Sequence, residues 1–393
     1  MTKQRLEWLD ALRGFTMFMV VTNHIYGFGF DTNTKYSMFM SVCLLFRMPL
    51  FFFISGFLAY KASFSWNMRD TSQLIAKKLR VQIVPTVVFM TAYVALTAKH
   101  FWERMEYAWS SPTKGGYWFT MVLLEMFLVY YAVCWVGKRL SPRTTPPPVD
   151  SPLAFPNAEG ATTNDSCKAD ACAEHSTGKA GRGSSKGEAT LLIILWLISL
   201  FAYATLYMPK WFTWYKGEFW KVTSITELAR FFHFFLLGNL VHRYWAQVQK
   251  LFDSKWFFPL LIVIAFIGTG DYLKWHNLRM QWANLPRTLA MYSLVMIIVA
   301  FFRNYSSWFT KETRIGYTLQ YIGVRTLDIY LIHYFFIPKL PDVGVWFKAH
   351  PENFILEGTA AMAVALLVTA FSILTSHVLR VSPFLKKWLF GRE

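Results

Sequence analysis

LDALRGFTMFMVVTNHIYGF, residues 9–28, is an apolar run interrupted by one arginine, Arg13, and one histidine, His24. Eleven positions at 3.6 residues per turn is almost three whole turns, so a helix over this run projects both side chains from one face. At 1.5 Å per residue they stand roughly 16 Å apart along the axis, about half the thickness of a bilayer core. An arginine within hydrocarbon costs on the order of 2.5–3.5 kcal/mol, so it needs a partner or a polar cavity. The run therefore predicts a membrane helix lining a polar interior, with a fixed cation at one depth and an ionisable base at another.

The rest of the chain supports that class. Apolar residues make up 54% of the 393 positions and charged residues 16%, with 37 Phe and 17 Trp. A soluble protein of this length is rarely so apolar, and the apolar residues come in blocks of bilayer-spanning length. Ten such blocks fall at about 9–29, 38–60, 79–98, 117–137, 190–207, 228–245, 257–273, 284–302, 320–338 and 354–377. The expected fold is all-α, a polytopic bundle of about ten transmembrane helices forming one domain over 1–393. With the N-terminus inside, the inner segments hold 24 of the 40 Lys and Arg residues, which puts both termini in the cytoplasm by the positive-inside rule. Cell (inner) membrane residence follows as the expected location. The net charge of +17 reads as contact with anionic lipid and attraction of anionic substrates. Its dispersal among helix ends argues against nucleic acid. Arg13 and Asn23 interrupt the first block and no small-residue cleavage pattern follows it, so it is expected to persist as the first membrane helix.

One stretch departs from this pattern. Residues 141–189 are rich in Pro, Ser, Thr, Gly and charge, as in TTPPPVDSP and TGKAGRGSSKGEA, and are expected to form a disordered cytoplasmic loop between the fourth and fifth spans. Cys167 and Cys172 lie within it near His175, without a second ligand pair at a recognised zinc spacing, so no metal site is expected. Cys43 and Cys134 fall inside spans and read as packing residues. The adjacent small residues Ser55 and Gly56 read as a point of close helix approach.

Ionisable residues within the remaining spans sort into two layers. His24, Glu125, His233 and His333 fall in the outer half, while Arg13 with Asp10 and Arg325 with Asp328 fall toward the inner half. Each Arg–Asp couple is spaced i,i+3, so self-neutralising pairs are one reading. A basic inner mouth that holds a cytoplasmic polyphosphate, below an outer cluster fit for proton chemistry, is the other. Arg230 shares a helical face with His233. In the outer loop 208–227, Trp211, Trp214, Tyr215 and Trp220 read first as an interfacial aromatic belt and second as flat faces for sugar rings.

Five segments together resemble a known family. LDALRG with the ten-residue gap from Arg13 to His24, PLFFFISGFL at 49–58, the YWF stretch around Trp118, RFFHFFLLGNL at 230–240 and TLDIYLIH ending at His333 resemble, in order, the transmembrane acyltransferase-3 family. The resemblance spans the chain apart from 141–189. It implies a ten-span enzyme that moves an acyl group, acetyl or succinyl, from cytoplasmic acyl-CoA to a sugar hydroxyl of an extracytoplasmic glycan or glycolipid. Acyl-CoA enters as a co-substrate, with no tightly bound cofactor.

The residues agree with that chemistry. A sugar hydroxyl is a weak nucleophile at neutral pH, and a histidine can take its proton and later return one to the thiolate leaving group. His24 is the expected base, with Glu125 fixing its tautomer or its charged form. Arg13 and Arg325 are the expected phosphate ligands. His333 is a further catalytic candidate, and Arg230, His233, Trp118 and Trp214 are candidates for the acceptor. Two other functions fit the same features less well. A secondary transporter of an anionic solute would use the same pore, but the chain lacks paired halves with matching broken spans. A scaffold subunit of a glycan-export complex would use the charges only to pair helices.

Overall fold

The computed structural model describes residues 6–32, 37–61, 64, 66–111, 113–140, 186–206, 219, 223–272 and 285–390. These form α-helices α1 (Glu7–His24), α2 (Met38–Ala59), α3 (Met68–Lys78), α4 (Val84–Thr97), α5 (Phe101–Ser110), α6 (Trp118–Leu140), α7 (Lys186–Leu206) and α8 (Ile225–Arg243). They continue as α9 (Trp245–Phe252), α10 (Phe257–Tyr272), α11 (Leu285–Asn304), α12 (Arg314–Gly323), α13 (Thr326–Ile332), α14 (Pro341–Ala349), α15 (Phe354–Leu379) and α16 (Pro383–Phe390). No strand occurs among the described residues.

Among the described residues, five helical stretches are long and apolar enough to cross a membrane: Met38–Ala59, Met68–Thr97, Trp118–Arg139, Leu285–Asn304 and Pro351–Leu379. A sixth arises if α9 and α10, bent by 81°, count as one. The ten apolar blocks each fall on helix, but not all as simple spans. α1 carries Glu7, Asp10 and Arg13, and α8 carries Glu227, Arg230 and Arg243. The ninth block is broken between α12 and α13 and tightens to a 3-10 turn at His333–Phe336. Two π-helical turns also interrupt the bundle, Ile25–Gly29 directly after His24 and Leu79–Ile83 between α3 and α4.

Local chemistry explains several helix starts. Ser37 Oγ accepts the Met40 N–H at the start of α2, Asn67 Oδ1 accepts the Asp70 N–H at α3, and Thr313 Oγ1 accepts the Gly316 N–H at α12. Residues 186–189, assigned to the inserted loop on composition, instead open α7. Their Glu188 is buried and pairs with Arg243 of α8 at 2.5 Å. Residues 141–185 lie outside the described residues.

Two parallel crossings bring backbones into contact. Gly14 of α1 and Gly323 of α12 face each other, and a Cβ on either would fall on the carbonyl oxygen of Leu319 or Asp10. Gly56 of α2 and Gly238 of α8 repeat the arrangement against Phe235 and Phe53. Small residues at such points let dispersion and packing hold helices together where lipid supplies no hydrophobic drive. Of the Ser55–Gly56 pair, Gly56 serves close approach, while Ser55 lines a cavity. Cys43 and Cys134 are free and buried.

α1 and α2 run antiparallel, with Asn23 beside Met40 at one pole and Trp8 against Phe57 at the other. The first pole carries His24. The second gathers Trp245 and His242 around Phe57.

Candidate active site

α1 delivers His24 to a contact that its own sequence neighbourhood does not reveal. Its Nδ1 lies 2.7 Å from Nε2 of His333, and the two rings stack at 5.0 Å with 9° between planes. His333 Nδ1 in turn lies 3.0 Å from the Ile329 carbonyl oxygen. A carbonyl only accepts, so with both rings neutral the pattern assigns the protons. His333 donates from Nδ1 to Ile329, its bare Nε2 accepts from His24 Nδ1–H, and the Nε2 lone pair of His24 stays free. No described residue hydrogen-bonds that nitrogen. The pair thus leaves one nitrogen of His24 free and holds its ring through a second imidazole.

Tyrosines hold the pair from behind. Tyr330 and Tyr334 each donate to the Gly116 carbonyl at 2.8 Å, and Tyr117 donates to the Leu331 carbonyl at 3.1 Å. Tyr334 also stacks on His24 at 5.2 Å. The π-turn after His24 belongs to a class of helix defect that often occurs at functional sites. Replacing His333 with Ala should leave the His24 ring without its partner at Nδ1. Turnover should fall, but by less than in His24→Ala, which removes the free nitrogen itself and is expected to cost roughly 10²–10⁴-fold. Steady-state kinetics of the two single variants, side by side, check this order.

Toward the other pole lies a cavity of about 450 Å³. Four cations line it: Arg13, Lys61, Lys77 and Lys78. Its walls are largely apolar or aromatic, and it closes against Phe51, Phe119 and Tyr330. Phe51 to Leu58 alone spans roughly 10 Å along α2 at the usual rise. The ring of Tyr330 is 6.1 Å from that of His333, so a single aromatic layer separates the closed end of the cavity from the histidine pair. Lys78 sits over the Phe127 ring at 3.6 Å, and Gln82 donates to the Thr120 carbonyl at 2.6 Å, which ties the π-turn Leu79–Ile83 to α6.

The expected site residues divide on this geometry. His24 and His333 meet. Arg13 lines the cavity while contacting Asp10 and Thr326, at 3.4 and 3.3 Å. Arg325 does not line it; its guanidinium covers the Tyr321 ring at 3.8 Å and reaches the Tyr321 carbonyl. The i,i+3 pair of Arg325 with Asp328 is not formed. Asp328 is buried and binds Arg380 at 2.5 Å and Ser376 Oγ at 2.7 Å, because α15 packs across α13 there. Glu125 is not the partner of His24: it takes a backbone hydrogen bond from Ser224, and its Oε2 is buried with no partner among the described residues. His233 is fully buried among Tyr203, Phe234 and Tyr292, with Nδ1 2.7 Å from Tyr292 Oη, in a cluster separate from the histidine pair. Arg230 pairs with Glu227 at 3.7 Å, and Trp118 stacks on Phe231 at 5.9 Å. Trp211, Trp214, Tyr215 and Trp220, together with Cys167, Cys172 and His175, lie outside the described residues.

Three cavity cations and one arginine escaped the sequence reading. Lys61, Lys77 and Lys78 counted only as inner-loop charge. α3 begins eleven residues before the expected third span and carries two of them onto the cavity wall. Arg47 stands within the 22-residue helix α2, and its signal was simply its presence in an apolar block.

The chain matches the acyltransferase-3 family, described as an acyltransferase domain, over residues 6–376, and it belongs to that family. Curated proteins and solved structures give no match. Family membership and the apolar helices together define a membrane protein with an acyltransferase domain.

Proposed function

We propose that the protein spans the inner cell membrane ten times with both termini in the cytoplasm, and moves a short acyl group from cytoplasmic acyl-CoA to a hydroxyl of an extracytoplasmic glycan or glycolipid. The observation that carries this reading is the free Nε2 lone pair of His24, one aromatic layer beyond a cation-lined cavity. The cavity mouth offers Lys61, Lys77 and Lys78, with Arg13 on its wall, to the phosphates of CoA. The apolar wall of Phe51, Ile54 and Leu58 suits the pantetheine arm. Parting of Phe51, Phe119 and Tyr330 would then admit the thioester to the histidine pair.

The chemistry balances with the residues present. The acceptor hydroxyl oxygen adds to the thioester carbonyl carbon while His24 Nε2 takes the hydroxyl proton. The C–S bond then breaks, the CoA thiolate leaves, and the His24 imidazolium returns the proton to sulfur. An ester and free CoA result, and His24 is neutral again. His333 accepts from His24 Nδ1–H throughout, so the ring keeps its orientation as its charge changes.

The test is release of CoA from radiolabelled acetyl-CoA and succinyl-CoA by purified full-length protein. Protein-dependent release is expected; absence of both release and saturable CoA binding would contradict the proposal. Replacing Lys77 and Lys78 together with Ala should raise KM for acyl-CoA about tenfold with little change in kcat, since each charged contact is worth about 1.5–3 kcal/mol when well ordered and less when exposed. The effect should shrink at high salt, as screening weakens the same contacts in the unaltered protein.

A further inference from the structure

Arg47 lies on the stripe of α2 that lines the cavity. Positions 47, 51, 54, 55 and 58 recur at helical spacing, and the last four are wall residues. Arg47 is one turn beyond Phe51, on the side of the aromatic layer that faces the histidine pair. Its charge acts on His24, on Tyr334 and on Arg230. Its Nε is buried without a hydrogen-bond partner, and among the described residues the side chain has no ion pair. Arg230, by contrast, already holds Glu227, and Arg13 holds Asp10.

A guanidinium left bare inside a bundle is costly unless something anionic completes it. The thioester carbonyl of a donor threaded through the cavity must stop beside His24, so the distal end of its acyl group comes to rest among His24, Tyr334 and Arg47. We propose that Arg47 seats a carboxylate on the transferred acyl group, so that the donor is a dicarboxylic acyl-CoA of the succinyl type rather than acetyl-CoA. This rests on the acyl-CoA reading above and narrows it. Arg geometry suits bidentate carboxylate binding, which Lys reproduces only as a point charge.

Binding measured without any acceptor isolates the donor's carboxylate from that of an acidic sugar. Affinities for CoA, acetyl-CoA and succinyl-CoA are to be measured by calorimetry on purified full-length protein and on the Arg47→Gln and Arg47→Lys variants. CoA serves as the reference ligand that reports an intact fold in each. The unaltered protein should bind succinyl-CoA about 10- to 100-fold more tightly than acetyl-CoA. Arg47→Gln should abolish that ratio, and Arg47→Lys should retain part of it. Equal affinity of the unaltered protein for the two donors would overturn the proposal, as would a ratio unchanged in Arg47→Gln. If CoA and acetyl-CoA bind but succinyl-CoA gains nothing, the acyltransferase reading stands and only this inference fails. If none of the three binds, the acyl-CoA reading fails and this inference falls with it.

Discussion

His24→Ala is expected to lower acyl-CoA turnover by about 10²–10⁴-fold while leaving CoA affinity unchanged. The size follows from the chemistry: a hydroxyl near neutral pH attacks a thioester slowly unless its proton is removed as the bond forms. The separation of the two effects follows from the geometry. His24 is not among the residues that line the cation-bearing cavity, so its loss removes a base and no phosphate ligand. The ring is half-exposed at the end of α1, packed by Phe28 and Tyr334, and no backbone group depends on it for a hydrogen bond. The variant should therefore fold, with a thermal midpoint in detergent lowered only modestly by the lost partner of His333 Nε2. Kinetics and CoA binding on one preparation check both halves; full turnover in His24→Ala would remove His24 from the mechanism.

Gly56→Ala is expected to destabilise the bundle by about 1–3 kcal/mol or more, a larger effect than its single methyl group implies. The new Cβ would fall on the carbonyl oxygen of Phe235, a backbone atom that cannot rotate away. Relief requires α2 and α8 to separate, and among the described residues they form the most extensive helix pair. Gly238 faces the Phe53 carbonyl in the same crossing, so separation at one point loosens the other. Gly27 supplies the comparison, since nothing lies within 4 Å of a Cβ built there. Thermal unfolding of the two Ala variants in detergent should show a lower midpoint for Gly56→Ala alone. Equal midpoints would mean that the crossing tolerates a Cβ.

What could be read in advance depended on how far apart the partners stand in the chain. Arg13 and His24 share one helix, so spacing alone placed both on one face. The His24–His333 contact joins residues 309 positions apart, and no local pattern encodes it. Glu125 attracted attention as a carboxylate in an apolar span, but the neighbour that matters to it is Ser224 at the start of α8. Asp328 was matched to Arg325 by i,i+3 spacing, whereas α15 brings Arg380 and Ser376 to it instead. Lys77 and Lys78 were misread through a helix boundary: apolar content begins near residue 79, but helical structure begins at Met68. Arg47 was lost because block hydropathy averages one charge into 21 other residues of α2. Intra-helix spacing thus survived, while tertiary partners and the amphipathic extension of a span did not.

The proposed route for the donor is tested most directly by photoaffinity labelling of the full-length protein in nanodiscs with an acyl-CoA bearing a photoreactive acyl chain. Mass spectrometry would locate the label. The route predicts adducts on the residues at the closed end of the cavity, Phe51, Phe119 and Tyr330, and on His24 or His333, all suppressed by excess CoA. Label confined to other helices, or label that CoA does not displace, would contradict a passage from the cation-lined cavity to the histidine pair.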